Sequence, residues 1–148
     1  MTEYVKNRKA SFDYEYLEQY EAGIVLSGFE VKAIRAAKAS LNGAYVIIRG
    51  GEAFLVNASI TPYQPANMPK NYDPERARKL LLSKKELAVL EQGSEKQGLT
   101  IVALKGYNKN RKIKLSLALA KGKKKADKRE KLKEKSSKRD IERLLKNQ

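Results

Sequence analysis

The side chains able to do chemistry in this chain are mostly cations. Its 148 residues carry 32 Lys and Arg against 17 Asp and Glu, with no His and no Cys. Without imidazole or thiol, the usual general base, the thiolate nucleophile and the soft-metal ligands are gone. Carboxylates remain, but Asp13, Glu15, Glu18 and Glu21 lie beside aromatic residues and read as exposed positions. No phosphate-cradling glycine motif occurs, and Gly50-Gly51 between two apolar runs reads as a turn. What is left is charge-assisted contact with anions, which is binding rather than catalysis. The cations come in groups: Lys6, Arg8 and Lys9 around Asn7; Lys32, Arg35 and Lys38; Arg76, Arg78 and Lys79; and a dense run that includes Lys121, Lys123 and Lys124.

That run opens a tail, 121–148, with 13 basic and 5 acidic residues and a net charge of +8. Such a segment buries too little apolar surface to offset its ordering entropy, so alone it is expected to be disordered. Its last turns nevertheless place Ile141, Leu144 and Leu145 as a narrow apolar stripe at helical spacing. Two readings stay open: a latent helix that forms on an anionic partner, or a solvated solubility tail.

The remaining 120 residues suit one domain with a modest core. They add +7 to the total of +15, so positive charge lies in both parts. A pI near 9.9 points to nucleic acid before any motif is consulted. An anionic membrane is the weaker candidate, because there is no long apolar run, no signal-peptide pattern, no lipidation motif and no Trp. Zero Cys fits a cytoplasmic location.

Elements that would position these cations read as follows. Residues 1–9 read as a short, polar, extended arm. Phe12, Tyr14 and Tyr16 alternate with polar residues as a half-buried strand, although Phe12, Tyr16 and Tyr20 also fit a helix. Gly23 and Gly28 bracket a short buried strand, Ile24-Val25-Leu26. A helical period over 30–38 turns Val31 and Ile34 inward and sets Lys32, Arg35 and Lys38 on one arc. Tyr45–Ile48 and Ala53–Val56 flank Gly50-Gly51, whose tolerance of positive φ suits a type I′ hairpin. Residues 61–74 hold all four prolines and form a long loop. Ser83 and Glu86 make a capping box for a helix ending near Gly93. Ile113, Leu115, Leu117 and Leu119 then alternate with Lys112, Lys114, Ser116 and Ala118 in the last strand of a second hairpin. The sum is five or six short strands and two short helices, a mainly β chain that suits a small barrel of the oligonucleotide-binding type.

Residues 21–35, EAGIVLSGFEVKAIR, resemble the signature of small protein B, the SsrA-binding protein family. Asn7-Arg8-Lys9-Ala10, the run 73–82 (DPERARKLLL) and the run 120–129 (AKGKKKADKR) are similar to the family at family-like spacing, across essentially the whole chain. The resemblance implies a six-stranded closed barrel related to the oligonucleotide-binding fold over 1–120, without catalytic activity, cofactor or metal. It implies binding of the tRNA-like domain of transfer-messenger RNA, as a monomer in a 1:1 complex. Delivery to ribosomes stalled without a stop codon follows, with the 121–148 tail folding as a helix in the empty mRNA channel.

Carried over residue by residue, the resemblance places RNA contacts at Glu21 and Leu81, with Asn7 in the arm. Glu21 suits acceptance from base amino groups or 2′-hydroxyls, or else orients a loop; Leu81 suits packing on a base, or else the core. Arg8, Lys9, Lys32, Arg35, Arg76, Arg78, Lys121, Lys123 and Lys124 complete the expected RNA-binding set. Tyr14, Tyr16, Tyr45, Tyr63 and Tyr72 are candidates for base stacking or for the core and its rim. Asp127, Lys128 and Arg129 match a triplet implied to act at the decoding centre, and Leu144 and Leu145 fall where the terminal helix packs, near Ile141. Ala126 stands where the family commonly has Tyr or His, leaving no ring there to stack. A structural ribosomal protein or general translation factor, and an RNA-acting enzyme using carboxylates, are the competing functions.

Overall fold

Two-residue turns set the hairpins. The computed structural model of the chain describes residues 2–62 and 71–123. Gly50 and Gly51 both take positive φ, 58° and 74°, joining β4 (Tyr45–Arg49) to β5 (Glu52–Val56). Asn110 and Arg111, with φ of 52° and 65°, join β8 (Thr100–Lys109) to β9 (Lys112–Gly122). The other strands are β1 (Thr2–Lys6), β2 (Tyr14–Ile24), β3 (Ala39–Ser40), β6 (Ser59–Ile60) and β7 (Arg78–Leu81).

Seven strands form one antiparallel sheet in the order β1-β8-β4-β5-β7-β2-β9, and β9 pairs back onto β8. β3 and β6 form a separate two-stranded sheet. Alternate residues of the large sheet face inward and pack as one cluster that includes Ala22, Val46, Leu55, Leu80, Ile101 and Leu117. Among the described residues, three helices accompany the sheet: α1 (Ala10–Asp13), α2 (Gly28–Arg35) and α3 (Lys84–Lys96).

Several sequence expectations are corrected. The N-terminal arm is a strand, since Val5 faces inward beside Gly106 and β1 pairs with β8. Phe12 belongs to α1, which makes three helices rather than two among the described residues. Residues 24–26 are no buried strand: Ile24 closes β2, and Val25 is 48% exposed. α2 begins two residues early, at a capping box in which the Ser27 N–H donates to Glu30, and stops at Arg35, with Ala37 at φ 59°. α3 runs three residues past Gly93, because that glycine is the contact point with β9. A Cβ there would lie 2.7 Å from a Leu119 methyl. β9 continues through Gly122, and the Lys123 N–H donates to the Asp13 carbonyl, so the folded body passes the expected boundary at 120. The tail stripe Ile141, Leu144 and Leu145 lies outside the described residues.

Candidate nucleic-acid interface

Strand register builds an outer face across five strands. One row of paired positions runs Lys6, Lys105, Ser116, Glu21 over β1, β8, β9 and β2. The next runs Glu3, Tyr107, Lys114, Gly23, Leu81 and reaches β7. Lys109 and Lys112 pair beyond them at the hairpin end. Because strand side chains alternate between faces, these residues share the side opposite the core. Gly23 carries no side chain, and that of Leu81 lies over it: an added Cβ would meet the Leu81 Cβ at 3.3 Å. Leu81 is therefore held flat against its neighbour strand yet remains 55% exposed, while adjacent Leu80 is buried.

Glu21 is the acidic centre of this basic face. The Tyr107 hydroxyl donates to its Oε2, and Lys109 Nζ lies 3.2 Å from Oε1 and 3.3 Å from Oε2. Hydroxyl donation by Tyr107 is the largest influence on the Glu21 carboxyl; burial opposes it, and Lys109 and Lys114 add smaller effects that help hold the carboxyl below its usual range. Glu21 thus stays ionised, an acceptor with a side chain still 37% exposed. Tyr107 is 5% exposed, and burial together with the Glu21 carboxylate pushes its phenol up, so it stays a donor. Lys105 sits 5.7 Å from the Tyr107 ring centroid and pairs with Glu3 at 3.2 Å.

Two open grooves flank this centre. One, of about 300 Å³, is lined by Leu81, Arg35, Arg111, Lys112 and Lys114. The other, of about 610 Å³, is lined by Lys6, Arg8, Lys105, Tyr16 and Gln19. Cations at the rims and an aromatic or apolar side chain within suit a sugar–phosphate strand with exposed bases.

The structure distributes the expected site residues unevenly. Glu21, Leu81, Arg35 and Arg8 lie on or beside the outer face, and Lys32 and Lys9 are exposed. Asn7 is 7% exposed: its amide donates to the Ala103 carbonyl at 2.9 Å, and its oxygen accepts the Ala10 N–H. It shapes the start of α1 from inside rather than presenting a free side chain. Arg78 is corrected outright, being wholly buried. Its guanidinium donates to Glu30 Oε2 at 2.8 and 3.0 Å, and to the Ala58 and Pro74 carbonyls and the Tyr72 hydroxyl. Arg76 pairs with Glu30 Oε1 while its own side chain is 39% exposed. Lys121 is exposed, and Lys123 Nζ donates to the Ser11 carbonyl at 2.9 Å.

Tyr14 and Tyr16 pack against a cluster under α1, Tyr45 is exposed, and Tyr72 packs edge-on against Phe29. Tyr63, Lys124, Asp127, Lys128, Arg129, Ile141, Leu144 and Leu145 lie outside the described residues. Sequence reading did not join Tyr107, Lys109, Arg111, Lys112 and Lys114 to Glu21. The alternation in β9 put Lys112 and Lys114 toward water, but only the register of β8 and β2 brings them beside the carboxylate. Among the described residues, no helix is long and apolar enough to cross a membrane.

A sequence model of the SmpB protein family matches residues 4–147. An SsrA-binding protein of Thermosynechococcus vestitus is 51% identical over 141 residues, covering 95% of this chain and 93% of that protein. Those of Sulfurihydrogenibium sp. and Streptococcus mutans are 52% and 48% identical, each over 95% of this chain and over 91% and 90% of the relative. Among solved structures, one described as "tmRNA-SmpB: a journey to the center of the bacterial ribosome" aligns with a TM-score of 0.67 at 46% identity. It covers 84% of this chain and 91% of that one.

Proposed function

The chain belongs to the SmpB protein family, and on that premise we propose that it binds the tRNA-like domain of transfer-messenger RNA and delivers it to stalled ribosomes for trans-translation. The carrying observation is convergence on one face. Glu21 and Leu81, which the family resemblance matched to RNA contacts from distant parts of the sequence, come onto one face: Leu81 pairs with Gly23, two residues along β2 from Glu21, with Lys105, Lys109, Lys112 and Lys114 on the same side. The circuit of pairings β8-β4-β5-β7-β2-β9 and back to β8 supports a closed six-stranded barrel related to the oligonucleotide-binding fold. Such a body reads RNA without catalysis, works in the cytoplasm, and binds as a monomer, one per RNA.

The recognition set in this proposal is Glu21 and Leu81 with Arg8, Lys9, Lys32, Arg35, Arg76 and Lys121, joined by Lys109, Lys112 and Lys114. Glu21 accepts hydrogen bonds from base amino groups or 2′-hydroxyls, and the cations bind phosphate. The tail, with Lys124, Asp127, Lys128, Arg129, Ile141, Leu144 and Leu145, acts at the decoding centre and in the mRNA channel. Beyond Lys123, where the described body ends, the remaining 25 residues would reach roughly 38 Å if fully helical, at ~1.5 Å per residue. An intact message already fills that space, so steric exclusion discriminates stalled ribosomes.

A gel shift comparing transfer-messenger RNA with ordinary tRNA tests the reading. Selective binding retained in excess bulk tRNA is the expected result. Equal binding of both would favour a structural ribosomal protein or general translation factor, and turnover of RNA lost on a single Asp or Glu change would favour an enzyme.

A further inference from the structure

We infer that Tyr107 is a positioning residue for RNA recognition, holding the Glu21 carboxylate in one orientation so that its free oxygen faces a donor on the RNA. This rests on the proposed role of Glu21. An exposed glutamate on a strand ordinarily samples several rotamers, and binding must then pay for fixing one of them. Here Glu21 Oε2 is tied to a hydroxyl on a ring that cannot wander. Tyr107 is 5% exposed and is paired in register with Glu3 on one side and Lys114 on the other. The ring sits one row along the strands from Glu21, so its hydroxyl reaches the carboxylate on the diagonal.

The second partner of Glu21 differs in kind. Lys109 lies 3.2 and 3.3 Å from the two carboxylate oxygens, on a long side chain that is itself 44% exposed. Such a contact exchanges readily with water or with an incoming phosphate. Lys109 is thus the displaceable partner and Tyr107 the fixed one. When RNA arrives, the ammonium turns to a phosphate and Oε1 is released to accept from an amino group or a 2′-hydroxyl, while Oε2 stays where the phenol holds it. Burial and the Glu21 carboxylate keep the phenol protonated, and the phenol's donation in turn favours the ionised carboxylate.

The test is a double-mutant cycle in the full-length protein, read as affinity for the tRNA-like RNA, with Tyr107→Phe, Glu21→Ala and the pair together. Tyr107→Phe is expected to weaken binding on the order of tenfold, the scale of one hydrogen bond to a charged group. The double variant is expected to bind no worse than Glu21→Ala alone. In Tyr107→Phe, the Glu21 carboxyl titration followed by carbon NMR should move up toward the ordinary value. Wild-type affinity in Tyr107→Phe beside a weakened Glu21→Ala would overturn the positioning role and leave the function standing. A further loss on adding Tyr107→Phe to Glu21→Ala would show that the ring acts through the fold, and would equally overturn it. Unchanged affinity in Glu21→Ala would sink the RNA role of Glu21 itself, and this inference with it.

Discussion

Arg78 shows how residue type alone misleads. In the sequence it stands with Arg76 and Lys79 as a basic group, yet it lies wholly inside, beside Glu30. The information that separates it from Lys79 is a carboxylate 48 residues away, and no local pattern reports such a partner. Burial opposes ionisation of Glu30, but the Arg76 guanidinium, the Ser27 N–H and Arg78 outweigh it and lower its carboxyl to about 2. Removing one member leaves an uncompensated buried charge, so Arg78→Met should destabilise the fold by about 3–5 kcal/mol in urea melts. The pH dependence has a definite sign. Because the folded-state value is depressed, this stabilisation is complete above the unfolded value near 4.5 and is lost as pH falls toward 2. Chemical melts across that window should show stability falling with pH, and falling less steeply in Glu30→Gln. Glu21, expected at the RNA from the family resemblance, has surroundings that only the strand register supplies. Glu21→Ala should weaken RNA binding without lowering the slope of log K against log salt. Lys112→Ala or Lys114→Ala should each lower that slope by about 0.7–0.9 if the lysine meets a phosphate.

At the scale of elements, punctuation was legible and pairing was not. Gly50-Gly51 and the Ser83–Glu86 capping box announce themselves in the sequence, and both appear where expected. Ser27-Gly28-Phe29-Glu30 carries the same Ser-x-x-Glu signal, and reading it would have started α2 in the right place. β1 was not legible, since a five-residue strand with a single inward Val becomes one only when β8 supplies its hydrogen bonds. Gly93 was misread as a stop because its reason to exist lies on β9. Filling that position should force Leu119, itself 6% exposed, out of its packing. Gly93→Ala is therefore expected to cost about 1–2 kcal/mol in a urea melt, despite the better helix propensity of Ala.

For the molecule as a whole, the excess charge divides between a folded body and the 121–148 tail, and the proposed tasks divide with it. A chain ending at Ala126 is expected to keep most of its affinity for transfer-messenger RNA in a gel shift, yet to fail in peptide tagging on stalled ribosomes. Loss of nearly all specific RNA affinity on that truncation would contradict the division. The mainly β class and the basic surface were readable from alternation and composition; the outer face was not, because its rows draw on five strands that only the register aligns.

That register also bears on the moment of synthesis. Tyr14 pairs with Gly122 and Lys6 with Lys105, so the earliest strands to emerge find their partners only when almost all of the body has been made. Non-local pairing of this kind closes slowly and leaves unpaired edges exposed in the meantime. The nascent body is consequently most vulnerable to sticking or cleavage just before β9 appears, and whatever follows β9 in the chain gives it time to close while still tethered.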